Sequence, residues 1–470
     1  MRKIFRKSFF LYFLIFFILF FILWFFVWMY KNFGRINLDE IAIVLQIGLN
    51  GVDHSLLWSF IKKVILRSFG WGIIYAIFYQ LISKYKILQI MSFVVLVGLI
   101  IYNGHKSNIE LGSFFNNKKS NFYEQEYIYP DKTDITFSEK KNTLVIVLES
   151  MEKTFNDKKL FGAHGLIPNI TKLERENISF KKYHSISGLS HTIAAITGIT
   201  TGLPLFYTSF KSIEKMLGTT GIGTIFKNND YGTYALFPAS GKFSLKTNFL
   251  KRMGFDTIYD GERLRKLLTY KLSEYPFNGV DDGTFFELSK PILTKIINKR
   301  EPYFIMMETI NTHCKGYFTE ACREKGFKQE NMEDIIMCED KLVYDFINWF
   351  RNKDPKAIII VINDHQQKSG NIMNKLNKNK ERALNNIFIN TNIFNYDYTE
   401  RKISAMDFFP TIIEAAGGKI DGCKLGLGVS LSEKCRHIKT LRERYDDKKL
   451  EKKMEQKNDL YYKLVTGIKK

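Results

Sequence analysis

No cysteine occurs before Cys314, and the five that follow, Cys314, Cys322, Cys338, Cys423 and Cys435, match no zinc-ligand spacing. A structural zinc site built from cysteines is thereby excluded. No internal repeat is present, which excludes a solenoid. No block of basic residues is interleaved with stacking aromatics, and nothing reads as a helix-turn-helix. The net charge of +21 therefore does not mark a nucleic-acid-binding protein. Lysine, asparagine and isoleucine are abundant along the whole chain, so the charge is diffuse. An anionic membrane surface is the partner such a balance fits, with a solvated basic face as the alternative.

The first apolar run has no small-residue cleavage site. Phe9 to Tyr30 is uninterrupted, about 22 residues, and at 1.5 Å per residue it crosses a bilayer core of roughly 30 Å. Arg2, Lys3, Arg6 and Lys7 precede it like the charged start of a signal peptide, but the run is too long for one. It is expected to be retained as an anchor. Two further spans are predicted at 68–83 and 87–104, joined by Lys84-Tyr85-Lys86. Between the first span and this pair, 41–65 is apolar but broken by Gly48, Asn50, Gly51, Asp53, His54, Lys62 and Lys63, which suggests an interfacial helix. Three spans with the basic amino terminus inside put everything after Gly104 outside, although Lys31, Arg35, Lys62, Lys63 and Arg67 weaken the charge argument. In an oxidising compartment the cysteines suit two disulfides, Cys322 with Cys338 and Cys423 with Cys435, leaving Cys314 free; buried free thiols are the alternative.

Residues 105–141 are polar and without a clear period. They read as a linker that wraps onto the following domain. From Asn142 onward, Thr143 to Leu148, Thr233 to Phe237, Tyr303 to Met307 and Ala357 to Ile362 are short continuous apolar runs, as buried parallel strands should be. Helical stretches alternate with them at Ile193 to Ile199, Ile222 to Asn228, Asp282 to Ile297 and Met332 to Phe350. The class is α/β, a mostly parallel sheet flanked by helices over 142–436, preceded by a helical transmembrane region over 1–104. The tail, 437–470, is dense in charge with sparse Leu and Tyr; it is expected to be a solvated helix or disordered.

Two of the strands run into acidic groups, Leu148 into Glu149-Ser150 and Ile362-Asn363 into Asp364-His365. Ligands of open α/β sheets sit at the carboxyl ends of strands, so these residues converge on one crevice. Two carboxylates and an imidazole suit a divalent metal of the zinc or manganese type. The bland alternative is a turn with a capped carboxylate. A third segment, Ser187-Gly188-Leu189-Ser190-His191-Thr192-Ile193-Ala194-Ala195-Ile196, leads from a small-residue loop into a helix. A hydroxyl at that position meets backbone N–H groups and the positive dipole end, where a phosphate is favoured. Thr192 is thus a candidate nucleophile, against the ordinary reading of a helix cap.

The ordered set LVIVLESMEKTF, SGLSHTIAAITGITTGLPL, THCKGYF, NDHQQKSG, AMDFFPTIIEAAGG and LGLGVSL resembles the membrane-anchored phosphoglycerol transferases. These include the lipoteichoic acid synthases and the transferases that decorate periplasmic glucans. The likeness runs from Asn142 to Ser432. It implies an alkaline-phosphatase/sulfatase-like catalytic domain with Glu149, Asp364 and His365 as metal ligands beside Thr192, the residue that takes the phosphoglycerol group. The implied cofactor is one divalent ion, Mn2+ or Zn2+, with Mg2+ also admitted. It further implies His313 as the substrate-binding histidine that protonates the leaving alkoxide. The acidic pair Asp281-Asp282 matches the stretch that lines the glycerol pocket. There the chain departs from the family, with Asn278-Gly279-Val280 where members often carry Trp-Gly. The loop Gln366-Gln367-Lys368-Ser369 after the last ligand also departs.

The resemblance therefore implies transfer of phosphoglycerol from phosphatidylglycerol to a glycan or glycolipid through phosphorylated Thr192. The setting is a bacterial inner membrane, multi-pass, with the catalytic domain in the periplasm or outside. A phosphoethanolamine transferase of the same fold is the nearest alternative, and an inactive anchored regulator the next. A sulfatase reaction is disfavoured because no Cys-x-Pro-x-Arg or Ser-x-Pro-x-Arg segment supplies a formylglycine.

Overall fold

Six buried runs build one sheet: β1 (Thr143–Leu148), β2 (Gly232–Leu236), β3 (Thr257–Tyr259), β4 (Tyr303–Glu308), β5 (Ile358–Asn363) and β6 (Asn386–Ile389). The structure is a computed structural model and describes residues 2–33, 58–107, 119–206, 216–272, 276–313, 316–368, 370–378, 381–394 and 399–467. The spatial order is β3-β2-β4-β1-β5-β6. The first five are parallel and β6 runs antiparallel on the edge beside β5. Every position of β1, β4 and β5 is buried, which explains why they read as unbroken apolar runs rather than alternating ones. Sequence reasoning does not single out β3 and β6, because they are three and four residues long and carry too few residues for a period.

The pleat sends alternate side chains to two cores. Val145 and Val147 face a cluster with Ile193, Ile196 and Ile199 of the helix Thr192–Thr201 and with Phe408 and Ile412 of Phe408–Ala415. Leu144, Ile146 and Leu148 face the helices Asp282–Asn298 and Met332–Lys353 through Phe285, Leu293, Ile336 and Phe346. The register sets Leu148 beside Asn363 and Val147 beside Glu308. The residues that follow β1 and β5, and the last residue of β4, therefore emerge together at one edge.

Two segments set aside in the sequence carry more structure than expected. In 105–141, Phe122 and Tyr123 are buried and Ile135–Phe137 pairs with Gly418–Ile420. The charged tail is neither solvated throughout nor disordered. It forms the helices Leu441–Arg444, Asp447–Met454 and Asp459–Thr466, and Leu450, Met454, Tyr461, Leu464 and Val465 enter the same core as Thr192's helix. Its apolar residues are few but share one face, and that suffices to dock a short helix whose other faces are charged. Both expected disulfides are present, Cys322–Cys338 and Cys423–Cys435; Cys314 lies outside the described residues.

Among the described residues of the amino-terminal unit, three helices are long and apolar enough to cross a membrane, Phe9–Lys31, Trp58–Lys84 and Lys86–Lys106. The second begins ten residues earlier than the span expected at 68–83. Of the segment expected to lie in the interface, 41–57 is outside the described residues, and 58–65 is continuous helix with a π-helical stretch at Ile61–Leu66. Lys62 and Lys63, both exposed near the start of this long helix, do not break it. Within this unit the first helix packs on the second through Phe16 against Tyr75 and Phe20 against Trp71, and a Cβ at Gly72 would come within 3.2 Å of the Phe17 backbone. Phe10, Leu14, Ile18, Ile74, Ile90 and Val94 are among the large apolar side chains left exposed on these helices, a surface that suits lipid. The protein is a membrane protein.

Candidate active site

Glu149 leaves the end of β1 into a reversal at Ser150, whose φ of +53° places a non-glycine residue in the left-handed region. The strain is held by three bonds. Ser150 N donates to Asp364 Oδ1 at 2.9 Å, and Ser150 Oγ donates to Glu149 Oε1 at 2.7 Å. Glu149 N donates to Thr309 Oγ1 at 3.0 Å. Asp364 and His365 leave β5 one strand away. Asp364 Oδ1 also accepts from His365 N, while its Oδ2 is buried and has no hydrogen-bond partner. His365 Nδ1 lies 2.9 Å from the Gln366 carbonyl, which makes Nδ1 the donor and turns the Nε2 lone pair into the site. That Nε2 is 3.5 Å from Glu149 Oε1 and 3.4 Å from Asp364 Oδ2.

Thr192 opens its helix with the site in front of it. Its Oγ1 donates to Glu149 Oε2 at 2.9 Å and lies 3.3 Å from His365 Nε2. No side chain caps this helix, so its first amides face the same space as the hydroxyl. A capping threonine would instead turn its oxygen back onto an amide two or three residues on.

The residues fit a divalent metal. One ligand atom each from Glu149, Asp364 and His365 lies within 4.8 Å of the others, and all three residues are buried. An orphaned carboxylate oxygen in such a place is costly unless a cation or a proton answers it. Electrostatics agree. Burial and the neighbouring Glu149 charge hold the Asp364 carboxyl well above the usual range. For Glu149, burial pushes upward, but His365, His313 and the two hydroxyl donors outweigh it and bring the carboxyl down. Two buried carboxylates this close do not both ionise readily without a positive charge or a proton between them.

His313 follows β4. Its ring packs edge-on against Phe277, centroids 4.7 Å apart, and its charge is felt at Glu149. The Thr312 hydroxyl beside it donates to the Glu149 carbonyl. Asp281 and Asp282, expected in the substrate pocket, are used by the chain itself. Asp281 caps the helix Asp282–Asn298 by accepting from Thr284 N at 3.1 Å. Asp282, wholly buried, accepts from Ile310 N at 2.8 Å and Asn311 N at 2.6 Å. A carboxylate directly after a helix start is drawn to nearby amides, and here those amides belong to the loop that carries His313.

Asp282 also faces Glu339, wholly buried on the helix Met332–Lys353. Burial raises the Asp282 carboxyl to about 7, with Asp281 adding to the effect. The folded value lies above the unfolded one, so the native state keeps a proton that the unfolded chain releases. The contribution of this group to stability is present at low pH and is lost as pH rises from about 4 to about 7. Asn, which imitates the protonated acid, is therefore expected to leave thermal stability unchanged at pH 5 and to raise the melting temperature by a few degrees at pH 8. Thermal denaturation of Asp282→Asn at the two pH values checks this.

Sequence reasoning missed a charged pair at the same edge. Lys246 Nζ lies 2.5 Å from both Glu308 oxygens, and the two side chains are 3 % and 4 % exposed. Glu308 ends β4 as Glu149 and Asp364 follow β1 and β5, so the strand-end signal that found the other two was available for it. No local signal marks Lys246, which enters from a turn with Ser244 and Leu245 at φ +57° and +53°.

A parallel sheet with a buried metal-ligand set, and a hydroxyl at a helix start on its carboxyl edge, define a protein of the alkaline-phosphatase/sulfatase fold. Residues 141–418, more than half of the chain, match the Sulfatase family model, and the chain belongs to that family. It is 25% identical over 300 residues to phosphoglycerol transferase I of Escherichia fergusonii, covering 59% of this chain and 38% of that protein. To phosphoglycerol transferase I of Shigella flexneri it is 26% identical over 312 residues, covering 62% and 39%. The chain thus spans about two-fifths of the length of the curated relatives it matches. Among solved structures it is similar to an alkaline phosphatase superfamily protein from Vibrio parahaemolyticus, with TM-score 0.52, 19% identity, and 63% and 70% of the two chains covered. It is also similar to the integral membrane lipooligosaccharide phosphoethanolamine transferase A from Neisseria meningitidis, with TM-score 0.51, 11% identity, and 83% and 81% covered.

Proposed function

We propose that this chain transfers phosphoglycerol from phosphatidylglycerol to an extracytoplasmic glycan or glycolipid. Thr192 Oγ attacks the phosphorus, the bond to the diacylglycerol oxygen breaks, and an acceptor hydroxyl then displaces the glycerophosphoryl group from Thr192. The single observation that carries the reading is the Thr192 hydroxyl at 2.9 Å from Glu149 and 3.3 Å from His365, in front of a helix start. Mn2+ or Zn2+, held by Glu149, Thr192, Asp364 and His365, would draw charge from the phosphoryl oxygens and ease loss of the Thr192 proton. The helix amides supply fixed dipoles for the same oxygens. His313, across the site, is placed to give the leaving diacylglycerol alkoxide its proton. In this scheme Asp282 acts by holding Ile310 and Asn311 in the loop that leads to His313, and Asp281 by capping the helix Asp282–Asn298. The two disulfides support an oxidising compartment, and with it a catalytic domain in the periplasm or outside.

The test is the mass of the peptide bearing Thr192 after the solubilised chain meets defined phospholipids. Added glycerophosphate is the expected result with phosphatidylglycerol. Added phosphoethanolamine with phosphatidylethanolamine would instead select the other head group, and no addition with either lipid would end the covalent reading.

A further inference from the structure

The three loops that carry the site leave three different strands, and a buried polar crosspiece joins them. We propose that Gln367 is a positioning residue that ties the His313 loop to the metal-ligand loops, with the Glu152–Arg382 pair as the second half of the tie. The inference rests on the transfer reading for its kinetic arm only. Gln367 follows Asp364 and His365 by two residues, is 1 % exposed, and belongs to the stretch where the motif departs from its family. Its backbone N donates to Glu152 Oε1 at 3.1 Å, which reaches the loop of Glu149. Its side-chain Nε2 donates to the Thr312 carbonyl at 3.0 Å, one residue before His313.

Arg382 completes the junction. Its Nε donates to Glu152 Oε2 at 2.8 Å, while its Nη2 donates both to Glu152 and to the Gln367 carbonyl. Gln366 closes the ring by donating to the Arg382 carbonyl. Glu152 is wholly buried and Arg382 nearly so, at 0 % and 14 % side-chain exposure. A buried ion pair of this kind contributes little net stability, yet its planar fork fixes geometry. The crosspiece has two parts. The guanidinium joins the Gln367 backbone N and Ser150 N in linking the loops that bear Glu149 and Asp364-His365, and the Gln367 amide joins the Thr312 hydroxyl in linking those loops to the His313 loop.

The two links predict different losses. Lysine at 382 keeps the charge beside Glu152 but cannot bond the Gln367 carbonyl at the same time, so Arg382→Lys should weaken Mn2+ binding on the order of tenfold. Gln367→Ala keeps both backbone bonds and cuts the Thr312 link together with a long contact to Met332 Sδ. It should leave the Mn2+ Kd unchanged and lower kcat on the order of 10- to 100-fold with KM unchanged. Gln367→Glu restores the volume but offers no donor to the Thr312 carbonyl, so it should not recover kcat. Titration of the solubilised full chain with Mn2+ alone, and diacylglycerol release from phosphatidylglycerol vesicles, read these effects. Wild-type kcat in Gln367→Ala, recovery in Gln367→Glu, or a wild-type Kd in Arg382→Lys would each overturn the proposal. Should the unaltered chain release no diacylglycerol, the transfer reading fails while the tie is still tested. The Mn2+ arm stands, and Gln367→Ala must shift the His313 ring signals of histidine-labelled protein; unshifted signals overturn it.

Discussion

Thr192→Ala is expected to abolish both the glycerophosphorylated peptide and lipid turnover, by on the order of 10⁴-fold or more. The size follows from position. The hydroxyl is the group that bonds to Glu149 and faces His365 at the helix start, and alanine removes this one oxygen while leaving the helix, its amides and the other three proposed ligands, Glu149, Asp364 and His365, in place. The variant should therefore fold as the parent does and still bind Mn2+, which separates lost chemistry from lost structure. Thr192→Ser, which keeps an oxygen at the same place, should retain the covalent adduct. Turnover that persists in the alanine variant would sink the covalent mechanism and favour direct attack by the acceptor.

Asp364→Asn should give an effect that changes sign with metal. Without the cation, Asp364 has one oxygen answered by amides and one orphaned in a buried site beside Glu149. Its folded pKa stands above the usual carboxylate range, so the ionised group destabilises the fold once pH passes the unfolded value near 3.9. The metal-free variant is thus expected to melt above the metal-free parent at pH 7. With Mn2+ at about 100 times its Kd the parent gains about 2.7 kcal/mol, and the variant gains little. The order of the two melting curves therefore reverses, and turnover is lost with binding. Calorimetry with and without Mn2+ checks both halves. A parent that gains nothing from Mn2+, Zn2+ or Mg2+ would return the chain to the class of inactive anchored regulators.

Part of this site was legible without coordinates. Glu149 and Asp364-His365 stand directly after apolar runs, and a run that is buried on both faces ends where the sheet ends. Thr192 was harder, since a threonine before an apolar helix is ordinarily a cap. Asp281 and Asp282 show what a motif leaves out: acidic residues at a helix start, matched to a substrate pocket, accept hydrogen bonds from the chain's own amides. Lys246 and Arg382 carried no local mark and Gln367 only that of a loop departing from the family motif, because each acts on a group remote in sequence. The tail misled for a related reason. Mean composition hides a single apolar face, and only a docked helix reveals that Leu450, Tyr461 and Leu464 belong to the core.

The sequence by itself determined the class of fold, the apolar helices at the amino end and the place of Glu149, Asp364 and His365 directly after buried strands, and it offered the two disulfides as one of two alternatives. These are consequences of local period, run length and spacing, which each segment carries alone. Only the tertiary structure decided that Thr192 faces Glu149 and His365, that Asp364 keeps a bare oxygen, and that Glu152, Arg382 and Gln367 join three loops. Those facts depend on register between strands and on which buried polar atoms find partners, and both are settled only when distant segments are packed together.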